Sequence, residues 1–365
     1  MDECGDWVLE AVFLVFQKQF RLIRKASWGL VCACMNFRFF FQRYYLPLAA
    51  LFLINLASLQ AEKPLERIAF GSCNRQFLPQ PLWTPISAFQ PQLWIWLGDN
   101  IYGDTDDMKV LAEKWALQKD HPGYKELRAT CPIIGIWDDH DYGRNDAGFE
   151  YPMKRESQKL LLDFLDEPAN SPRRSRSGIY DVRRFGPPER EVCVILLDTR
   201  SFRAARRSGG DILGEAQWRW LAETLRNSKS QIHLICSSSQ VLPTEHKYEK
   251  WADYPDSRKR LFELIKSTKK PGVFFLSGDR HVGEISRIDL GSPIAPVYEI
   301  TSSGLTHFRD SLFGEPNQLR VGSQFAGLNF GTAEIDWQNQ KVIFSIRNAK
   351  GESEQRIEAP FQPIP

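Results

Sequence analysis

Residues 93–102 read LWIWLGDNIY: five bulky apolar residues are followed at once by Gly98, Asp99 and Asn100. The same change from apolar to charged side chains occurs in PIIGIWDDHD (132–141) and in GVFFLSGDRH (272–281). Each apolar run has the length and the aromatic-rich composition of a buried β-strand. In open α/β sheets, ligands bind beyond the carboxyl ends of the strands. The pattern therefore predicts that three strand ends meet at one site for polyvalent metal ions.

The residues that follow these strands are suitable metal ligands. Hard cations prefer anionic oxygens, and a hydrolytic site with two metal ions needs a carboxylate that bridges both. Asp99 is the predicted bridge, because the glycine before it lets the backbone turn sharply. One charged strand end is usually solvated, but three in one chain favour a site. Asn100 and Tyr102 stand beside Asp99. The other candidate ligands are Asp138, Asp139 and His140, with Asn145 on the same loop, and finally Asp279 and His281.

Composition and periodicity predict a globular α/β protein. The 365 residues are 42% hydrophobic and carry a formal net charge of +2, so nucleic-acid binding is not expected. Strand-like runs alternate with helical patterns such as 156–166 and 217–228. Near the end of the chain, residues 331–337 and 341–351 alternate as an antiparallel hairpin around the turn 338–340. We expect one α/β domain with a mixed two-sheet core, spanning residues 62–365.

The start of the chain has the pattern of a secretory signal. Met35 and the basic residues Arg38 and Arg43 precede the apolar run 46–59, and small residues follow. We interpret residues 35–61 as a signal peptide, which predicts export to the periplasm or the extracellular space. The run is shorter than the roughly 20 residues of a membrane span, so no stable span is expected. Residues 1–34 are either an over-extended gene start or, alternatively, anchoring segments at 8–16 and 28–33.

Six motifs, taken together and in order, resemble the PhoD-like (alkaline phosphatase D) metallophosphoesterase family. The resemblance covers residues 68–307. It implies a calcineurin-like fold of the α/β (α+β) class, in which helices flank a two-sheet β-sandwich and a dimetal site lies at the strand ends. It also implies export and hydrolysis of phosphate esters. The motifs are GSCNRQ, LGDNIYGD, IWDDHDYGRND, LDTRSFR, SGDRHVGEIS and EITSSGLTH.

The same resemblance implies a mixed metal centre. Cys73 would be a thiolate ligand of Fe³⁺, Tyr102 a phenolate ligand of the same iron, and Asp99 the bridging carboxylate. For Cys73 the alternative is a small buried thiol. Other divalent metals remain open as occupants.

The second metal ion, Ca²⁺ in the family, would be held by the loop with Asp138, Asp139 and Asn145. Which of the two neighbouring aspartates points inward is left open. Asp279 and His281 match the last metal motif. Asp141 stands where the family commonly has Glu.

Such a centre would hydrolyse phosphate esters with a metal-activated water that attacks phosphorus in line, so no Ser or Cys nucleophile is needed. His140 is the candidate that stabilises charge or protonates the leaving oxygen. Arg200 is predicted to clamp a phosphate, or else to make a structural contact with Asp198 under the site. His307 is a further candidate for the rim of the site. A set of basic residues would either attract anionic substrates or form solvated loops: Arg173, Arg174, Arg176, Arg203, Arg206 and Arg207.

Three functions fit these observations. The first is an exported phosphomonoesterase or phosphodiesterase. The second is a phospholipid-cleaving phosphodiesterase on the same fold, and the third is a metal-stabilised binding module without catalysis. The natural substrate and the oligomeric state stay open at this point.

Overall fold

The computed structural model describes residues 63–312 and 314–362, which build two six-stranded β-sheets. The predicted signal at 35–61 and the segment before it lie outside these residues. In the first sheet three parallel strands, β1 to β3, continue into an antiparallel meander. Its strands, in spatial order, are β12 (Ser353–Pro360), β11 (Lys341–Arg347), β10 (Phe330–Asp336), β1 (Arg67–Gly71), β2 (Leu93–Leu97) and β3 (Ile133–Ile136).

The second sheet is also mixed. Its four central strands are parallel, and an antiparallel strand closes each edge. In spatial order it contains β4 (Asp181–Phe185), β5 (Val192–Leu196), β6 (Ile232–Ser237), β7 (Val273–Ser277), β9 (Val297–Ser302) and β8 (Gly283–Ile288).

The helices connect the strands, and some of them begin at recognisable sequence signals. Asp107 caps the second helix by accepting hydrogen bonds from the backbone N–H groups of Lys109 and Val110. Pro255 opens the last helix, at a position where its missing N–H costs nothing. The helices are α1 (Trp83–Phe89), α2 (Met108–Lys119), α3 (Pro122–Thr130), α4 (Asp139–Tyr142), α5 (Lys154–Phe164), α6 (Glu215–Asn227) and α7 (Pro255–Thr268).

The core lies between the two sheets and extends under the helices on both outer faces. Alternate residues of β5 face opposite ways, so Val194 joins the inner core while Ile195 packs with residues of α6 and α7. Phe274 of β7 and Phe344 of β11 meet across the inner core, with ring centroids 5.0 Å apart. This is the predicted two-sheet sandwich flanked by helices.

The three apolar runs that precede charged residues are strands β2, β3 and β7, as predicted. The predicted hairpin is also present as β10 and β11. The Pro-rich connection before β2 contains a helix that the sequence reading missed, α1, in which Pro85 lies within the first turn. Among residues 63–312 and 314–362, no helix combines the length and apolarity required to cross a bilayer.

Candidate metal centre

The candidate centre lies where strands from both sheets end together. The end of β1 is tied to the end of β2, because the N–H of Asn74 donates to the Asp99 carbonyl at 2.8 Å. The end of β7 is tied to the end of β6 through Gly278 N–H and the Ser238 carbonyl, 2.9 Å apart. These ends surround a pocket of about 260 Å³. Six of the predicted site residues line it: Asp99, Asp139, His140, Asn145, Asp279 and His281.

The backbone of this centre is unusual at the ligand positions. Cys73, Asp99, Asp279 and His281 have φ angles of 59°, 50°, 68° and 56°, a left-handed conformation that non-glycine residues rarely adopt. Gly98 also has positive φ, and a Cβ at this position would lie 2.6 Å from Cβ of Asp138. Residues in such conformations cost roughly 1–3 kcal/mol each and cluster at functional sites. The rest of the fold therefore stabilises a strained backbone at the positions that carry these side chains.

One group of potential ligands combines a thiol, a carboxylate and an imidazole. Ligand atoms of Cys73, Asp99 and His281 all lie within 4.8 Å of one another. The Tyr102 hydroxyl extends this group, at 3.3 Å from Asp99 Oδ2 and 3.0 Å from His281 Nε2. His307 Nε2 is also 3.0 Å from the Tyr102 hydroxyl. All the residues to which the resemblance assigns the iron are thus in contact.

A second group shares Asp99 with the first. Ligand atoms of Asp99, Asp139 and His140 also lie within 4.8 Å of one another. Asp139 Oδ2 accepts a 2.7 Å hydrogen bond from Asp146 N–H, whereas its Oδ1 is buried without a hydrogen-bond partner among the described residues. Asn145 lines the pocket beside them. Asp99 therefore stands between two sets of ligands, as a bridging carboxylate would.

Comparison with known proteins shows to which family this chain belongs. The sequence profile described as PhoD-like phosphatase matches residues 69–341, about three quarters of the chain. The chain belongs to the PhoD-like phosphatase family. The resemblance seen in the motifs is thereby confirmed. No curated protein matches the sequence significantly.

Solved structures of this fold are similar in architecture. PhoD itself superposes with a TM-score of 0.67 at 16% identity, over 82% of this chain and 69% of that chain. A dimetal phosphatase from Danio rerio gives a TM-score of 0.53 at 13% identity, over 82% and 100%. GAP50, the anchor in the inner membrane complex of Plasmodium, gives 0.52 at 11% identity, over 82% and 90%. At these identities the likeness shows the fold. Together with the family, it confirms that the chain is a metal-dependent phosphoesterase.

Burial at the centre of this PhoD-like phosphatase disfavours the ionised forms of several candidate ligands. Burial, reinforced by the charge of Asp139, raises the pKa of Asp99 well above its usual value. Burial and neighbouring aspartates do the same to the pKa of Asp279. The thiol of Cys73 has a raised pKa because of burial and the charge of Asp99. Polyvalent cations reverse such shifts by stabilising the ionised ligands, so the donor set fits metal ions.

The two histidines of the first group, His281 and His307, are uncharged near neutral pH and can therefore act as ligands. Burial, together with the charges of His307 and Arg309, lowers the pKa of His281 to about 2. Burial and the charges of Arg75 and Arg309 lower the pKa of His307 to about 3. A neutral imidazole is the form that binds metal ions. Neither side chain needs to lose a proton near neutral pH before it can serve as a ligand.

Asp138 and Arg200 lie under the pocket rather than in it. The Arg200 guanidinium is fully buried and pairs with Asp138 and with Glu249, and its Nε is 2.6 Å from Asp138 Oδ1. Asp138 Oδ1 also accepts a hydrogen bond from Ser238 at 2.6 Å. The contact between Arg200 and Asp198, which was the alternative to a phosphate clamp, is made by the Arg200 backbone. Its N–H donates to Asp198 Oδ1 at 3.0 Å. Of the two neighbouring aspartates, Asp139 is the one that faces the pocket.

Two contacts at the candidate centre were not predicted from the sequence. Asp104 Oδ1 lies 2.6 Å from His140 Nδ1, and the Ser303 hydroxyl lies 3.0 Å from the Cys73 thiol. The second Gly-Asp pair in LGDNIYGD was a signal for Asp104, because it repeats the residue types that carry Asp99. For Ser303 there was no local signal, since 230 residues separate it from Cys73.

Proposed function

We propose that this phosphoesterase is an exported phosphomonoesterase or phosphodiesterase with a mixed Fe³⁺ and Ca²⁺ centre. Cys73, Asp99 and Tyr102 would hold the iron. Asp139 and Asn145 would hold the calcium. The observation that carries the proposal is the position of Asp99, whose Oδ2 is 3.4 Å from the Cys73 thiol while its Oδ1 is 3.4 Å from His140 N–H. One carboxylate thus serves both ligand groups.

The two ligand groups differ in chemistry, and this supports two different ions. Thiolate and imidazole are softer donors that suit a transition metal, and phenolate is an anionic oxygen that suits Fe³⁺, whereas carboxylate and amide oxygens suit Ca²⁺. Bound cations would acidify a water and neutralise charge on the phosphoryl oxygens. Asp139 Oδ1 is buried and accepts no hydrogen bond among the described residues, and its nearest cationic group is Arg200 Nη2 at 3.7 Å, so it is an acceptor that a metal ion would complete.

His140 is the residue that can supply a proton at this centre. Burial disfavours its charged form, but the hydrogen bond to Asp104 and the charges of Asp99 and Asp139 raise its pKa to about 10. Its ring also stacks on Tyr102, with centroids 4.2 Å apart. An imidazolium held in this way donates a hydrogen bond to a leaving oxygen and stabilises the charge that develops there.

Export is proposed on the sequence of residues 35–61 alone, which lie outside the described part of the chain. N-terminal sequencing of the secreted protein tests it. A mature chain that begins near residue 62 supports the proposal, and one that retains Trp7 contradicts it.

The metals and the reaction are tested together on protein purified without chelators. We expect iron and calcium in near-equal amounts and hydrolysis of nitrophenyl phosphate, of its bis-ester, or of both. The rates on the monoester, the diester and a phospholipid separate the three ester classes. A preparation that lacks both metals and still hydrolyses the esters at full rate would contradict the proposed centre.

A further inference from the structure

One edge of the pocket is built from two segments that are hydrogen-bonded side by side. Leu305 N–H donates to the Ser72 carbonyl at 3.2 Å, and Arg75 N–H donates to the Thr306 hydroxyl at 2.7 Å. Arg309, further along the second segment, is anchored by its own N–H, which donates to the His281 carbonyl at 3.0 Å. The two segments therefore hold Arg75 and Arg309 on the same edge of the metal centre.

These two arginines carry charge that no carboxylate balances. Among residues 63–312 and 314–362, neither guanidinium forms an ion pair with Asp or Glu, although such pairs are numerous elsewhere. Arg309 lines the pocket together with two other arginines whose charge is neutralised. Arg206 pairs with Asp253, and Arg280 pairs with Glu315. Arg309 is thus the pocket-lining arginine with spare positive charge, and Arg75 adds a second unpaired guanidinium outside the pocket lining, beside Tyr102.

The position of Arg75 separates it from the reacting phosphate. Its guanidinium lies over the Tyr102 ring, 4.9 Å from the centroid, and His140 stacks on the same ring at 4.2 Å. His140 lines the pocket, whereas Arg75 does not. The phosphate that is cleaved would lie in the pocket beside Asp99 and Asp139, the residues that would hold the metal ions. Arg75 is therefore placed to meet a different part of the substrate.

The same two segments also carry exposed aromatic side chains. Phe77 is 63% exposed and Phe308 is 43% exposed, and both belong to the few large apolar residues on the described surface. Each is within two residues of one of the arginines. An aromatic face beside a guanidinium suits an organic group that is partly apolar and carries an anion.

We propose that Arg75 and Arg309 bind a second anionic group, a carboxylate or a phosphate, on the organic part of the phosphate ester, while Phe77 and Phe308 contact its apolar part. This inference rests on the proposed function. It narrows the substrate class to esters whose organic part is itself anionic. The two guanidinium groups act as specificity determinants and take no part in the bond cleavage.

A matched pair of substrates tests this assignment in the metal-loaded enzyme. 4-Carboxyphenyl phosphate carries the second anion, and 4-carbamoylphenyl phosphate is its neutral counterpart of the same shape. We expect Arg75→Gln and Arg309→Gln each to lower the ratio of kcat/KM for the acid to that for the amide at least about 10-fold, the size of one lost hydrogen bond to a charged group. The ratio of kcat/KM for 1,4-phenylene bisphosphate to that for 4-carboxyphenyl phosphate shows whether phosphate is preferred to carboxylate as the second anion.

Controls make the outcome specific. Arg219→Gln removes an exposed arginine of α6 and should leave the ratio unchanged, and Arg309→Lys should restore much of it. An unchanged ratio in both Gln variants would overturn the inference while the proposed function stands. Failure of the metal-loaded wild type to hydrolyse any of these esters would instead reject the proposed function, and the inference with it.

Discussion

His140 Nδ1 lies 2.6 Å from Asp104 Oδ1, so the catalytic candidate is oriented by a carboxylate on the loop after the neighbouring strand. The loop itself is pinned to His140, because Gly103 N–H donates to the His140 carbonyl at 2.9 Å. The pair joins the loop after β2 to the start of α4. The hydrogen bond to Asp104 favours the protonated imidazole, whose ring lines the pocket.

Replacing Asp104 by Asn should therefore weaken catalysis without unfolding the protein. We expect kcat to fall about 10- to 100-fold, as is usual for an outer partner of a metal site. The pKa of His140 should drop once the carboxylate charge is gone, so the proton is lost at lower pH. The alkaline limb of the kcat–pH profile should then move to lower pH. Asp106→Asn, at a carboxylate paired with Arg144 nearby, is the control, and identical profiles for the two variants would contradict the assigned role.

Asp99→Asn should remove nearly all hydrolysis while the fold is retained. An amide in place of the carboxylate cannot bridge two cations, so both ligand groups lose a shared anionic donor. We expect a fall in kcat of at least about 10³-fold and a reduced metal content, measured by elemental analysis. Asp120→Asn changes an exposed carboxylate far from the pocket and serves as the reference. Activity and metal content like those of the wild type would refute the bridging role.

Iron bound to Tyr102 and Cys73 should colour the protein. Phenolate and thiolate ligands of Fe³⁺ give charge-transfer absorption in the visible range, which can be followed without any substrate. Tyr102→Phe should remove the phenolate contribution, and Cys73→Ser should shift the remaining band. Tyr124→Phe changes a tyrosine buried away from the centre and should leave the spectrum intact. A colourless, iron-free and fully active enzyme would show that iron was wrongly assigned.

Arg200→Met should be strongly destabilising because it leaves Asp138 and Glu249 buried without their partner. Breaking a buried ion pair from one side costs about 3–5 kcal/mol. Arg356→Gln breaks an exposed pair with Glu358 and should cost less than about 1 kcal/mol. Urea unfolding of both variants measures the difference. Equal losses of stability would mean that Arg200 does not support the floor of the pocket.

His233 should make the protein acid-sensitive. It is buried, its Nδ1 lies 3.0 Å from the Pro271 carbonyl and its Nε2 lies 2.8 Å from the Ser228 hydroxyl. Burial lowers its pKa to about 4, so the unfolded chain takes up a proton first as the pH falls. The stability it contributes is complete above about pH 6.5 and is lost toward pH 4, by about 2 kcal/mol between pH 7 and pH 5.

Urea unfolding at pH 7 and pH 5 measures this loss. His233→Gln has no titrating group at this position and should lose about 2 kcal/mol less than the wild type over the same interval. An equal loss in both proteins would assign the acid sensitivity to other groups.

Strand positions and the family could be obtained from the sequence because both are local properties. The apolar runs that form β2, β3 and β7 have the length of strands, and each is followed by a short motif whose residue types are specific in combination. The order of those motifs sufficed to identify the family and, with it, the fold and the class of reaction. Helix α1 was missed because a proline in the first turn of a helix looks, in sequence, like a proline in a loop.

Side-chain roles at the centre depended on tertiary contacts. Asp138 and Asp139 are adjacent and chemically identical, yet Asp138 is still extended and points to Arg200, 62 residues away, whereas Asp139 begins α4 and faces the pocket. Arg200 had two interpretations until Glu249 and Asp138 were seen to enclose it. Residue types and motif order establish which chemistry is available; only the packing of two sheets decides which carboxylate lines the pocket and which lies under it against an arginine.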